Sequence, residues 1–159
     1  MLWQADFYRR PLKDEAGQPL WELLICNPTG TFNYEALCPQ GQANATWLAS
    51  QLRQAASGNL PEAIEVFRPQ SLSLIETAAK QLGIAVEPTR RTDALKQWLQ
   101  AKAEQYPSLS NYTGEAYKPV ALDKPPPVPL PENLWGEQWR FATLGAGDIQ
   151  DVFAERPIP

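Results

Sequence analysis

Residues 64–88, IEVFRPQSLSLIETAAKQLGIAVEP, read as strand, helix, strand. Ile64, Val66 and Phe67 belong to a short apolar strand over 63–68, which Pro69 stops. SLSLIETAAKQLG (71–83) sets Leu72, Ile75, Ala79 and Leu82 on one helical face, with Ser73 and Glu76 at capping-box spacing and Gly83 as a stop. IAVEP (84–88) is a second short strand. A helix between two short strands makes a right-handed crossover, so the strands lie parallel and side by side.

Upstream, LWQADFYRR (2–10) alternates, with Trp3, Ala5 and Phe7 on one face and Gln4, Asp6 and Tyr8 on the other. LWELLICN (20–27) and TFNYEALC (31–38) are two further strands, joined by an NPTG turn. These three form an antiparallel meander. NATWLASQLRQAASG (44–58) is a helix that Asn44 or Thr46 can cap, with Gly58 at its end. Downstream, Thr92 is expected to cap a third helix with Leu95, Trp98 and Leu99 inward, limited by Pro107. The order is βββ-α-β-α-β-α. It predicts an α/β fold: a mixed five-stranded sheet, order 3-2-1-4-5, with helices on both faces, as in ribonuclease-H-like domains. The domain is expected over 1–107. Residues 108–159 are expected to form an arm, proline-rich at ALDKPPPVPLPENLWGEQW (121–139), that docks through Trp135 or Trp139. RFATL (140–144) suggests an edge strand and GDIQDVFAE (147–155) a short helix.

The chain has 159 residues, 43% of them hydrophobic, and a net charge of −4. That balance argues against nucleic-acid binding through a broad basic surface, and leaves room for a small basic patch. Histidine is absent, which removes the commonest general base and metal ligand and excludes Ser-His-Asp and Cys-His sites. Cys26 and Cys38 sit on paired strands about 20 Å apart, so they read as buried thiols in a reduced compartment. No apolar run approaches the ~20 residues of a membrane span. Patterned sequence starts at Trp3, so neither a signal nor a transit peptide is expected.

A metal nuclease on this fold needs clustered carboxylates, usually from the first strand, the first helix and the end of the fourth strand. Asp6 lies on the first strand, but the first helix has no Asp or Glu and the fourth strand ends in Arg68. No metal, no cofactor and no catalytic residue are expected; Asp6 reads as a partner for a nearby arginine. Phosphate loops of the GxGxxG or GxxxxGK[ST] kind are also missing. What remains is an anion site. Arg68 ends one strand and Arg90 and Arg91 follow its neighbour, so all three reach one sheet edge, where ligands of open α/β sheets bind. Two helices start there, and Gln70, Ser71 and Thr92 add neutral donors. The candidate phosphate site is therefore Arg68, Gln70, Ser71, Arg90, Arg91 and Thr92. A competing reading pairs Arg90 and Arg91 with Asp93 or Glu87, and sets Arg68 to hold Asp6 or the arm.

Several stretches together resemble one family: WQADFYRRPLKDEAGQPLWELLICNPTGTF, FRPQSLSLIETAAKQLGI, PTRRTDALKQWL and ALDKPPPVPLPENLWGEQWRFATL. They are similar to the amino-terminal half of the Tab-type RNA-binding proteins of cyanobacteria and chloroplasts, named for a translation activator of a photosystem I reaction-centre subunit. LPENLWGEQW (130–139) is the most specific match. The resemblance implies a noncatalytic RNA-binding module acting in photosystem translation, with messenger RNA as partner and Phe67, Arg68, Gln70, Arg90 and Arg91 on matching segments. It implies a cyanobacterial, cytoplasmic protein, with plant relatives in the chloroplast stroma. Family chains usually continue into a second domain of comparable size, whereas this one stops at ERPIP, so it is expected to be one domain of a longer protein, with 108–159 starting the second half, or a natural half. The alternatives are a divergent metal-dependent nuclease or phosphoesterase on the same fold, and a protein-interaction scaffold using the proline-rich arm.

Overall fold

The computed structural model describes residues 1–122. The docking expected of Trp135 or Trp139, the strand at 140–144 and the helix at 147–155 lie outside the described residues. Strand β1 (Leu2–Lys13) is the spine of the sheet. Its period-2 pattern puts Trp3, Ala5 and Phe7 into the larger core and Gln4 and Asp6 onto the opposite face, all buried. It extends past Arg10 because Pro11 falls where the pairing with β2 (Pro19–Cys26) shifts register, between Arg9 and Lys13. The Asn27–Gly30 turn then reverses the chain. Asn27 Oδ1 accepts from Thr31 N at 2.9 Å and Phe32 N at 3.1 Å, and Gly30 takes φ +68°, where a side chain would be strained. Strand β3 (Asn33–Pro39) completes the meander, pairing Leu23 with Ala36 and Trp21 with Cys38.

Helix α1 (Ala45–Ala56) is capped by Asn44, whose side chain accepts from Trp47 N at 2.9 Å. It leads to β4 (Ala63–Val66), then α2 (Pro69–Lys80), β5 (Ala85–Pro88) and α3 (Asp93–Gln105). The sheet is five-stranded and mixed, in the order β3-β2-β1-β4-β5. Strands β1, β4 and β5 are parallel, with Trp3 beside Ile64 and Ile64 beside Val86. Leu48 and Leu52 of α1 and Ile75 and Ala79 of α2 pack on one face of the sheet, while Leu95 and Leu99 of α3 pack against Leu24, Cys26 and Phe67 on the other. Both cysteines are free and buried, on opposite faces of β2 and β3; burial lifts each thiol to about 11.

Two local expectations fail: Thr92 precedes α3 without a side-chain cap, and the start of α2 is shifted. Helix α2 begins at Pro69, two residues before the expected start, with Arg68 as its N-cap residue and no side-chain cap. Proline suits that first position, where a missing N–H costs nothing. Ser73 and Glu76 therefore sit inside the helix and do not form a capping box. After α3 the chain stays on the sheet. Lys13 N donates to Asn111 O at 3.0 Å, Thr113 N donates to Pro11 O at 3.0 Å, and Tyr106 is buried beside Leu12 and Leu20.

Candidate functional site

Because β4 and β5 are parallel neighbours, their carboxyl ends open on one edge. A cleft of about 310 Å³ lies between them, lined by Val66, Phe67, Pro69, Leu72 and Pro88, with Arg68 and Arg90 also at its wall. Gln70, Arg90 and Arg91 are exposed around this edge. Among the described residues, Arg90 and Arg91 make no ion pair, with Glu87, Asp93 or any other acid. The loop that carries them is fixed from its backbone. Thr89 N donates to Val66 O at 3.0 Å, Arg91 N donates to Thr89 Oγ1 at 3.1 Å, and Lys96 Nζ donates to Arg90 O. The two guanidinium groups are thus left to solvent on an ordered support.

The other three residues expected in this site are interior, and their side chains are turned to different work. Arg68 is 2% exposed. Its Nε donates to Asp6 Oδ1 at 2.8 Å, its Nη1 to Ala121 O at 3.1 Å and its Nη2 to Pro119 O at 2.7 Å. Its guanidinium also lies over the Tyr8 ring, 4.3 Å from the centroid. Ser71 Oγ points inward, donating to Phe7 O at 2.8 Å and lying 3.2 Å from Asp6 Oδ1. Thr92 is fully buried at the start of α3, and its hydroxyl neither caps the helix nor meets any other partner among the described residues. For Arg68 and Ser71 the physical reason is Asp6, whose buried carboxylate on the neighbouring strand offers a charge to meet. Thr92 has no such partner among the described residues.

The competing reading of Arg68 as a partner for Asp6 holds, and Asp6 also anchors a wider buried charge network that spacing alone did not reveal. Arg10 Nη2 donates to Asp6 Oδ2 at 2.9 Å, its Nε to Glu22 Oε2 at 2.8 Å and its Nη1 to the Tyr117 hydroxyl at 2.7 Å. Tyr106 donates to the same Glu22 oxygen at 2.6 Å, and Lys102 reaches Glu22 Oε1 at 2.7 Å and Glu35 Oε2 at 2.6 Å. Burial works against the Arg10 charge, but Asp6, Tyr117 and Glu22 outweigh it and raise the pKa. Burial also raises the pKa of Tyr106 and Tyr117 and keeps both phenols protonated, Tyr106 donating to Glu22 and Tyr117 accepting from Arg10. Glu22 carries no local sequence signal of its burial. The signal that could have placed it is the meander register, which sets it opposite Tyr8, on the strand whose Asp6 and Arg10 face the same side.

This chemistry does not suit a catalytic metal. Asp6, the one carboxylate at the first-strand position, is fully buried and accepts from two guanidinium groups. A divalent cation there would have to displace both arginines. Helix α1 carries no acidic residue, and no cluster of three potential ligands occurs among the described residues.

Comparison with known proteins adds independent findings. Residues 2–102 match the family model described as RNA-binding protein Tab2/Atab2 N terminal, and residues 117–158 match that of its C-terminal domain. A maize protein named Protein TAB2 homolog, chloroplastic, is 32% identical over 153 residues, covering 94% of this chain and 39% of its own length. The Arabidopsis thaliana protein of the same name is 31% identical over 157 residues, covering 96% of this chain and 42% of its own. The chain thus spans about two fifths of the length of these relatives. Among solved structures, a chain of the simian T-cell lymphotropic virus intasome in complex with the PP2A regulatory subunit B56 gamma superposes with a TM-score of 0.50. It is 13% identical, over 67% of this chain and 41% of that one, a likeness of fold alone.

Proposed function

This chain belongs to the Tab2/Atab2 family of RNA-binding proteins, and from that premise we propose that it is a noncatalytic RNA-binding module. Its phosphate contacts come from Arg90, Arg91 and Gln70, and Arg68, Ser71 and Thr92 support the fold behind them. The observation that carries this reading is the pair of exposed guanidinium groups, free of ion pairs among the described residues, at the carboxyl edge of parallel strands. A chain of net charge −4 repels RNA over most of its surface, so a local patch must supply the attraction. The β3-β2-β1-β4-β5 sheet supports a ribonuclease-H-like assignment, while the arginine-locked Asp6 speaks against nuclease activity on it. The resemblance to photosystem translation activators points to messengers for photosystem proteins as the target. The compartment that goes with this role is the chloroplast stroma or the cytoplasm of a cyanobacterium.

The test is fluorescence anisotropy with labelled single-stranded RNA, followed by incubation with Mg²⁺ or Mn²⁺ and gel analysis. Reversible, salt-sensitive binding with intact RNA is expected. Metal-dependent cleavage that Asp6→Asn abolishes would replace this reading with a nuclease.

A further inference from the structure

We infer that the cleft at the carboxyl ends of β4 and β5 seats one unstacked base of a single-stranded RNA, an inference that rests on the RNA-binding reading above. At about 310 Å³ it lies at the small end of ligand pockets, which run from roughly 300 to 1,000 Å³. That is room for one flat ring system and too little for a duplex or a folded partner. Val66, Phe67, Pro69, Leu72 and Pro88 make its walls largely apolar.

The placement of charge decides which part of a nucleotide enters. Arg68 borders the cleft, but its guanidinium is committed to Asp6, Pro119 and Ala121. A phosphate inside would be desolvated among largely apolar walls, with Arg90 as the uncommitted cation on the lining. Outside, Arg90 and its neighbour Arg91 are both exposed and without ion pairs among the described residues, so a phosphate there keeps its water and meets two guanidinium groups. The base goes in and its phosphate stays out on the arginines. A base can enter only if it leaves its stack, so the cleft selects single strands, whose bases splay out readily, over duplex. The backbone contacts fixing the 89–91 loop hold rim and cleft in register.

The test uses the full chain and a short single strand containing 4-thiouridine. Ultraviolet crosslinks mapped by mass spectrometry should fall on the peptides holding Phe67–Leu72 and Pro88–Arg90. Leu72→Trp, which fills the cleft, should weaken single-strand binding by about tenfold, the scale of one lost base contact, and circular dichroism should show the fold retained. If the chain binds the strand but no crosslink falls on these peptides, the base seat is overturned while the RNA reading stands. If it binds no RNA at all, both fall. Adenosine monophosphate binding as tightly as the oligonucleotide would overturn the inference in favour of a free-nucleotide site.

Discussion

Replacing Arg68 with methionine tests whether this residue is part of the fold or part of the RNA surface. The substitution keeps much of the aliphatic stem and removes three donors: one to Asp6 at 2.8 Å, and two to the carbonyls of Pro119 and Ala121 at 2.7 and 3.1 Å. Breaking a buried ion pair from one side costs ~3–5 kcal/mol. Asp6 keeps Arg10 at 2.9 Å and Ser71 at 3.2 Å, so its charge is not stranded. The two carbonyls lie near the surface, where water can reach them. Both facts argue for the low end, about 3 kcal/mol. Domains of this size hold ~5–15 kcal/mol, so the variant should fold at room temperature. With a urea slope of roughly 1–3 kcal/mol per molar, the unfolding midpoint should drop by about 1–3 M. Arg68→Lys restores the charge without the planar fork and should fall between the two. The salt dependence of RNA binding by the folded variant should be unchanged, because Arg68 meets no phosphate in this account. A midpoint equal to that of the parent, with weakened RNA binding, would show that Arg68 faces the ligand and that the network has been misread.

Tyr117→Phe removes a hydroxyl that accepts from buried Arg10 at 2.7 Å; equilibrium unfolding should report a loss of ~1.5–3 kcal/mol, the worth of a bond to a charged group. Asn44→Ala should cost about 1 kcal/mol by removing the α1 cap, measured the same way. Burial raises the Cys26 and Cys38 thiols from 9.0 to about 11, so the folded chain holds these protons more tightly than the unfolded one. Their contribution is therefore complete below pH 9.0 and lost as pH rises toward 11, and melting temperatures should decline across that window. A flat profile there would contradict the burial.

Local pattern made the strands and helices readable, because each has one dominant period. The meander followed from three alternating strands and the NPTG turn, and the parallel strands followed from helices too long for a hairpin. Side-chain direction at strand ends was less legible. Arg68 and Arg90 both follow short strands. Arg68 comes straight after Val66 and Phe67 on a strand beside β1 and meets Asp6, whereas Arg90 lies past Pro88 on the edge strand. Only the sheet order separates an interior arginine from an exposed one. Arg10 and Glu22 were harder still, since their pairing depends on the β1–β2 register and on Tyr106 and Tyr117 arriving from 84 and 107 residues away. Ser71 misled because a serine near a helix start suggests a donor to an anion, while here its hydroxyl serves the sheet.

The central claim is that Arg90 and Arg91, and not the buried Arg68, carry the phosphates. It is tested most directly by titrating single-stranded RNA against the parent chain and an Arg90→Ala, Arg91→Ala variant at several salt concentrations, after both are shown to be folded. Both side chains are exposed, so stability should be unaffected. Two lost phosphate contacts, at ~0.7 each, should reduce the slope of log affinity against log salt by about 1.4, and binding should weaken for all sequences alike. A folded variant with the affinity and salt slope of the parent would contradict the claim and place the RNA on another surface.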